Sequence, residues 1–142
     1  METDRAPIAG FVVDASVAIV WFLPDEMSSI ADLALKHFAD AKATVPDLFW
    51  HEMRNVLVMS YRRQRLSWPE VWQSIQRLDQ LGFKTEGKAD SSLILSLAER
   101  HNLTAYDAAY LALAVETKLP LATLDKQLIA AAPREGVPLL TG

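Results

Sequence analysis

The sequence of 142 residues contains no cysteine. That absence excludes disulfide bonds, thiolate metal sites and cysteine nucleophiles, and it is typical of proteins of the reducing cytoplasm. The three histidines are scattered and share no spacing typical of metal ligands. His51-Glu52 begins like the helix motif of zinc proteases, but Asn55 stands where that motif requires a second histidine. No serine lies in a G-x-S-x-G turn, which disfavours a serine hydrolase.

A phosphate-binding P-loop is also lacking, although residues 82–89 come close to one. The last position of that motif is Ala89, which has no hydroxyl for magnesium, and the segment follows a predicted helix instead of a strand. A P-loop requires a strand, a glycine-rich turn and a helix N-terminus in that order, so that backbone N–H groups face the phosphates. We therefore predict no nucleotide site in this segment.

No apolar run has the length and flanks of a signal peptide or a membrane span. The first apolar segment starts at Phe11, is interrupted by Asp14 and is stopped by Pro24, and no cationic cluster precedes it. We therefore expect a cytoplasmic protein with no membrane partner. Residues 1–10 are interpreted as an N-terminal leader and residues 11–142 as one domain, since no linker, repeat or low-complexity stretch divides them.

The net charge is -4, from 14 lysines and arginines against 18 aspartates and glutamates. This balance argues against a protein whose whole surface binds nucleic acid. If four of the acidic residues bind metal, however, the remaining 14 balance the 14 basic ones. The net charge alone therefore does not identify the partner.

The hydrophobic pattern alternates short β-like runs with longer helical segments. The predicted strands are residues 11–14, 44–46, 83–86, 121–124 and 137–140. The predicted helices are residues 16–23, 28–39, 47–65, 67–82, 90–101, 104–117 and 125–132. Asp47 is predicted to cap the third helix, and Ser67 with Glu70 has capping-box spacing at the start of the fourth. Because strands alternate with helices, we expect an α/β fold with a mostly parallel central sheet flanked by helices in three layers.

Four acidic residues are candidates for catalysis. Asp14 and Asp125 each follow or end a predicted strand, and the carboxyl ends of parallel strands meet at the crevice where ligands bind. Asp107 lies in the first turn of a helix that is apolar on nearly every side, and a carboxylate on a buried helix requires partners. Glu52 lies on the flank of the apolar stripe of its helix, with Asn55 beside it.

Each of these acids also has a purely structural interpretation. Asp14 and Asp125 have the positions of N-caps, and Asp107 stands three residues after Thr104, which is capping-box spacing. Glu52 is equally compatible with a solvated position. The joint placement of the four acids nevertheless indicates a metal site, because Mg²⁺ and Mn²⁺ prefer oxygen ligands. Such ions promote phosphodiester hydrolysis without a nucleophile from the protein.

Four segments of the sequence resemble, in order, the motifs of the PIN-domain ribonucleases, and within that family the VapC toxins of bacterial toxin–antitoxin pairs. The segments are residues 12–16, 45–55, 103–114 and 121–125. They carry an acid in each of the four acidic positions of the family: Asp14, Glu52, Asp107 and Asp125. The third segment is the most specific match, and the four together in this order are a strong signal.

The resemblance implies metal-dependent endonucleolytic cleavage of RNA that leaves a 5′-phosphate. It implies that Asp14 and Asp107 bind the main ion, Mg²⁺ or Mn²⁺, directly. Glu52 and Asp125 are expected to bind directly, to act through water or to complete a second site. Three polar residues are expected to support these acids: Ser16, Asn55 and Thr123. The resemblance also implies a homodimer and a cognate antitoxin that covers the active site.

Basic residues cluster at the end of the third predicted helix. Arg62, Arg63 and Arg65 lie there, and Arg54 lies about two turns earlier. This patch is a candidate for contact with the RNA phosphate backbone, whose binding is mainly electrostatic. The same cations suit a solvated helix end, where they interact favourably with the helix dipole.

Two other functions remain open. A non-catalytic PIN-like module that binds RNA or protein is disfavoured, because all four acids are present. A phosphatase that uses Asp14 as nucleophile is disfavoured, because Ser16 stands where that chemistry usually requires a second aspartate. Trp68 and Trp72, in the fourth predicted helix, are candidates for an exposed face that binds a partner.

Overall fold

The computed structural model describes residues 8–141, which contain a four-stranded parallel sheet. The strands are β1 (Gly10–Val13), β2 (Lys42–Pro46), β3 (Lys84–Glu86) and β4 (Leu121–Ala122). Their order in the sheet is β3-β2-β1-β4, and every neighbouring pair is parallel. The first strand therefore lies between β2 and β4, the last strand of the sheet.

Seven α-helices flank this sheet within the described residues. They are α1 (Ala15–Ala18), α2 (Ser29–His37), α3 (Leu48–Arg62), α4 (Trp68–Gln80), α5 (Ser91–His101), α6 (Ala105–Thr117) and α7 (Lys126–Arg134). A short 3₁₀ helix, Ile19–Phe22, follows α1. The predicted three-layer α/β/α domain is confirmed. No helix in this part of the chain is both long and apolar enough to cross a membrane.

β1 is buried along its whole length. Phe11, Val12 and Val13 have no exposed surface, as expected for a parallel strand that is covered on both faces. Gly10 allows β1 to approach β2 closely, because a Cβ at this position would lie 2.7 Å from the backbone oxygen of Lys42. A side chain larger than hydrogen at residue 10 would push these two strands apart.

Helices α3 and α4 form a helical hairpin with a small core of its own. This second core consists of Leu23, Leu57, Leu66 and Val71. Ser67 accepts a hydrogen bond from the backbone N–H of Glu70, and the Glu70 carboxylate accepts one from the N–H of Ser67. The predicted capping box at the start of α4 is therefore confirmed.

Several predicted boundaries are wrong for local backbone reasons. Residues 16–23 form α1 and the 3₁₀ helix instead of one helix, where the β-branched Ile19 and Val20 disfavour a continuous α-helix. α3 ends at Arg62, before the predicted residue 65, because Gln64 takes a left-handed backbone conformation with φ 64°.

The two C-terminal strands are also shorter than predicted. β4 has two residues instead of four. In the next two residues, the hydroxyl of Thr123 donates to Asp14 and the backbone N–H of Leu124 donates to the hydroxyl of Ser16, so this N–H does not extend the strand pairing. Residues 137–140 form only an isolated bridge between Leu139 and Leu121, and Pro138 has no N–H to extend the pairing. Asp47 precedes α3 but does not cap it with its side chain, because its backbone is already helical.

The predicted leader, residues 1–10, falls largely outside the described residues. Residues 1–7 are not described, and β1 already begins at Gly10, one residue before the predicted start of the domain.

Candidate active site

Asp14 lies directly after β1 and caps α1. Its Oδ1 accepts hydrogen bonds from the hydroxyl of Ser16 at 2.6 Å and from the N–H of Val17 at 3.3 Å. Its Oδ2 accepts one from the hydroxyl of Thr123 at 2.6 Å. Only 4% of Asp14 is exposed, and this burial raises the pKa of its carboxyl to about 6 although the hydrogen bonds oppose the rise.

The hydroxyls of Ser16 and Thr123 also connect the ends of two neighbouring strands. Ser16 accepts a hydrogen bond from the N–H of Leu124 at 2.9 Å, and Thr123 accepts one from the N–H of Asp125 at 3.0 Å. Each hydroxyl has one hydrogen, which it donates to Asp14, so its direction is fixed. Both residues were predicted to support the acids, and their contacts are made to Asp14.

Asp125 follows β4 and caps α7. Its Oδ1 accepts hydrogen bonds from the N–H groups of Gln127 at 2.9 Å and Leu128 at 3.1 Å. The structural interpretation of Asp14 and Asp125 as N-caps is therefore confirmed. Capping does not remove either residue as a metal ligand, since an ionised carboxylate has about four lone-pair positions.

Asp107 lies in the first turn of α6. Its backbone N–H donates to the hydroxyl of Thr104 at 3.0 Å, and its side chain is half-buried. The pKa of that carboxyl is raised, first by burial and then by the negative charges of Asp125 and Glu52. These three acids, which come from three helices or their caps, are thus close enough to affect one another electrostatically.

Glu52 is connected to the site by Tyr110, a residue that sequence analysis did not select. The Tyr110 hydroxyl donates to Oε1 of Glu52 at 2.5 Å and joins α6 to α3. Tyr110 is buried, and its pKa is raised by that burial, by the bond to Glu52 and by the charges of Asp14 and Asp107. Its spacing of three residues from Asp107, on the same side of α6, was the available sequence signal.

The four predicted acids therefore face one region at the carboxyl edge of the sheet. Within residues 8–141, however, no group of three or more acidic or histidine side chains is close enough to form a set of ligands for one metal ion. Two causes keep the carboxylates apart. Asp14, Glu52 and Asp125 each accept hydrogen bonds from other groups, and the negative charges of the four acids repel one another. The region is an acidic cleft whose side chains have not converged on one point.

The sequence matches the model of the PIN domain family over residues 11–133. The chain belongs to the PIN domain family. A curated relative, Ribonuclease VapC3 from Pyrobaculum aerophilum, is 34% identical over 124 residues, which cover 82% of this chain and 90% of the relative. The resemblance described from the sequence motifs is confirmed.

Two solved structures share this PIN fold. PAE2754 from Pyrobaculum aerophilum superposes with a TM-score of 0.68 and 25% sequence identity, over 87% of this chain and 86% of that chain. FitAcB from Neisseria gonorrhoeae superposes with a TM-score of 0.64 and 17% identity, over 92% of this chain and 96% of that chain. The similarity to FitAcB concerns the fold alone.

The donor set of this PIN domain fits a hard divalent cation. Four carboxylates and two hydroxyls supply oxygen atoms only, which are the ligands that Mg²⁺ and Mn²⁺ prefer. His51 is exposed and faces Asp47 at 3.5 Å, so it is engaged outside this cleft. Burial raises the pKa of Asp14 and of Asp107, and neighbouring carboxylates raise both further, so a bound cation would favour the ionised forms of these acids.

The predicted basic residues differ in what they contact. Arg65 forms ion pairs with Asp25 at 3.1 Å and Glu26 at 2.8 Å, and Arg54 contacts His51. Arg62 and Arg63 are exposed and have no hydrogen-bonding or ionic partner within residues 8–141, and the same is true of Asn55.

Proposed function

We propose that this PIN domain is a divalent-metal-dependent endoribonuclease and the toxin of a toxin–antitoxin pair. The observation that carries the proposal is that four acids from separate segments lie close enough for their charges to interact at the carboxyl edge of the sheet: Asp14, Glu52, Asp107 and Asp125. The name of the relative Ribonuclease VapC3 supports RNA as the substrate. The motif-level resemblance to VapC toxins supports a cognate antitoxin as partner, a homodimer as assembly and the cytoplasm as location.

The ion in this proposal is Mg²⁺ or Mn²⁺. Asp14 and Asp107 would hold it, and Glu52 and Asp125 would bind it directly, act through water or complete a second site. When bound, such an ion lowers the pKa of water and neutralises charge on the phosphate of the substrate.

The remaining contributions come from groups of the protein itself. Ser16 and Thr123 each donate a hydrogen bond to Asp14 and so fix the directions of its two oxygens. Tyr110 donates a hydrogen bond to Glu52 and so fixes the direction of its carboxylate. Positioning of this kind reduces the reorganisation that is needed when the substrate phosphate enters.

A phosphatase reaction with Asp14 as nucleophile is disfavoured by the residue two positions later. Ser16 stands where that chemistry usually requires a second aspartate, and its hydroxyl donates to Oδ1 of Asp14. We expect no hydrolysis of small phosphate monoesters under conditions that support RNA cleavage.

The proposed activity is tested by incubating purified protein with total cellular RNA in added Mg²⁺ or Mn²⁺ and in chelator. We expect discrete fragments with 5′-phosphate ends that require the metal ion. Asp14→Asn, which keeps the size of the side chain but removes its charge, is expected to abolish cleavage and to retain the native circular dichroism spectrum. Asp79→Asn, at an exposed position of α4, is the matched control and is expected to cleave normally.

Two outcomes would contradict the proposal. Cleavage by Asp14→Asn at the wild-type rate would remove Asp14 from the catalytic set. Binding of RNA by a folded wild-type protein that cleaves none of it, with either metal ion, would favour the non-catalytic PIN-like binding module.

A further inference from the structure

Three aromatic side chains are exposed together at the tip of the α3–α4 hairpin. Tyr61 is 43% exposed, Trp68 is 45% exposed and Trp72 is 59% exposed. The rings of Tyr61 and Trp68 lie 5.0 Å apart, centroid to centroid, and Trp72 follows Trp68 by one turn of α4. These three side chains therefore present aromatic surface that the domain core does not cover.

The other two tryptophans are used differently. The indole N–H of Trp21 donates to the backbone oxygen of Ala31 at 2.8 Å, and that of Trp50 donates to Thr85 at 2.9 Å. Both rings also pack against the hydrophobic core. Trp68 and Trp72 make no such hydrogen bonds within residues 8–141, so core packing explains two of the tryptophans and leaves the exposed pair unexplained.

Positive charge without a counter-ion adjoins these rings. Arg62 and Arg63 directly follow Tyr61 and are exposed. Asp25 and Glu26 pair with Arg65, and the Glu70 carboxylate accepts the N–H of Ser67. Arg62 and Arg63 have no ionic partner within residues 8–141, so their guanidinium groups are available to an anionic ligand. The surface formed by Tyr61, Arg62, Arg63, Trp68 and Trp72 is here called the aromatic–basic surface.

Helix α3 connects this surface to the acidic cleft. Glu52 and Arg62 are ten residues apart on α3, which corresponds to about 15 Å at 1.5 Å per residue. Asn55, Met59 and Arg62 follow Glu52 at intervals of three or four residues, so they lie on one side of the helix. At the rise of about 3.4 Å per nucleotide of one stacked strand, about four nucleotides would cover this distance.

We propose that the aromatic–basic surface binds single-stranded RNA next to the cleavage site, with bases stacked on Tyr61, Trp68 and Trp72 and phosphates bound by Arg62 and Arg63. Exposed rings interspersed with unpaired cations are the combination that holds single strands without sequence preference. A duplex is disfavoured as the ligand, because its bases are already stacked on one another. This inference rests on the proposed ribonuclease function and names where its substrate is held.

Binding is tested separately from cleavage in the Asp14→Asn protein, with a fluorescein-labelled uridine RNA of about 12 nucleotides in chelator. Trp68→Ala and Tyr61→Ala are each expected to weaken binding about tenfold, as loss of a base–aromatic stack does. Trp68→Phe, which keeps an aromatic face, is expected to recover most of that loss. Leu95→Ala, at a residue that is 63% exposed on α5, is the control for removing surface apolar area.

The two arginines are tested by the salt dependence of the same binding reaction. For single strands, log Kd changes with log salt concentration by about 0.7 per neutralised phosphate. We therefore expect the double variant Arg62→Ala/Arg63→Ala to reduce the magnitude of that slope by about 1.4. Arg134→Ala removes an exposed cation from α7 and is expected to leave the slope unchanged. An unchanged slope in the double variant, together with unchanged affinity in the aromatic variants, would overturn the inference.

Cleavage kinetics then separate this inference from the proposed function. In the protein with Asp14 intact, the surface variants should raise KM for a long RNA and leave kcat unchanged. They should have no effect on an RNA of about two nucleotides, which at about 3.4 Å per nucleotide is too short to reach from the cleft to the surface. If Asp14→Asn abolishes cleavage but the surface variants cleave long RNA normally, only the inference fails.

If the wild-type protein cleaves nothing but the surface variants lose RNA binding, only the proposed function fails. A protein partner on the same surface would give a third result. In that case RNA binding would be unchanged, and Trp72→Ala would alter the oligomeric state measured by sedimentation, which also overturns the inference.

Discussion

The two hydroxyls that donate hydrogen bonds to Asp14 come from different parts of the chain. Ser16 lies in the same turn, whereas Thr123 lies 109 positions further along the sequence, and both hydroxyls donate at 2.6 Å. A buried carboxylate is costly unless such donors or positive charges compensate it. The raised pKa of Asp14 indicates that the hydroxyls compensate it only in part.

Tyr110 provides a residue-scale prediction, because its only side-chain hydrogen bond within the described residues is to Glu52. Tyr110→Phe removes that bond and keeps the ring. We expect RNA cleavage to fall by about 10- to 100-fold, the effect usual for the loss of a partner of a metal-binding side chain. The measurement is kcat/KM over a titration of Mg²⁺ or Mn²⁺, with Tyr106→Phe as the control at an exposed hydroxyl of the same helix.

A double-mutant cycle distinguishes positioning of Glu52 from general packing. If Tyr110 acts through Glu52, Tyr110→Phe should have no further effect in a Glu52→Gln background. The same proportional loss in both backgrounds would show that the tyrosine acts independently of that carboxylate.

The contact between Tyr110 and Glu52 also shows why part of the site was not predicted. The two residues are 58 positions apart, and nothing in the local pattern around either one specifies the other. Asp14 and Asp125 were predictable because each follows a strand, and their convergence required only parallel strand order. Whether the four acids converge on one ion depends on side-chain rotamers, which a sequence pattern does not contain.

At the scale of secondary structure, α4 begins with a complete capping box, which gives a second prediction. Ser67→Ala removes the acceptor for the N–H of Glu70, and N-cap replacements of this kind cost about 1 kcal/mol of the free energy of unfolding. Urea denaturation should detect this loss. Ser91→Ala, at an exposed first position of α5, makes no cap and is expected to change the stability much less. Equal effects of the two substitutions would argue that the capping box is not formed in solution.

Local signals of this kind account for the elements that were predicted correctly. The uninterrupted apolar run of β1 and the Ser67–Glu70 pair each specify their structure within a few residues. Asp47 had the right residue type for a cap, but its backbone is helical and its side chain therefore cannot cap. Residues 137–140 had strand-like composition, but Pro138 limits their pairing to a single bridge.

At the scale of the whole molecule, the burial of Asp14 makes the stability of the metal-free protein depend on pH. The folded protein holds the Asp14 proton with a pKa of about 6, above the ordinary value of 3.8. The resulting cost to stability is fully present above pH 6 and disappears as the pH falls towards 3.8. A difference of about two in pKa corresponds to at most about 3 kcal/mol.

Asp14→Asn isolates this effect from that of the other acids. The variant should be more stable than the wild type in chelator near pH 7, and its advantage should shrink as the pH is lowered to about 5. Denaturation at several pH values in chelator measures the difference. An advantage that does not change with pH would contradict the raised pKa of Asp14. Addition of Mg²⁺ or Mn²⁺ at neutral pH should stabilise the wild type and not the variant.

The position of β4 beside β1 has a consequence for synthesis in the cell. A ribosome makes residues 10–14 early and residues 121–125 near the end, yet Asp14 depends on Thr123 for one of its hydrogen bonds. At about 5–20 residues per second, several seconds separate the two segments. During that interval the nascent chain lacks both Thr123 and Asp125, so the acidic site is completed only when translation is nearly finished.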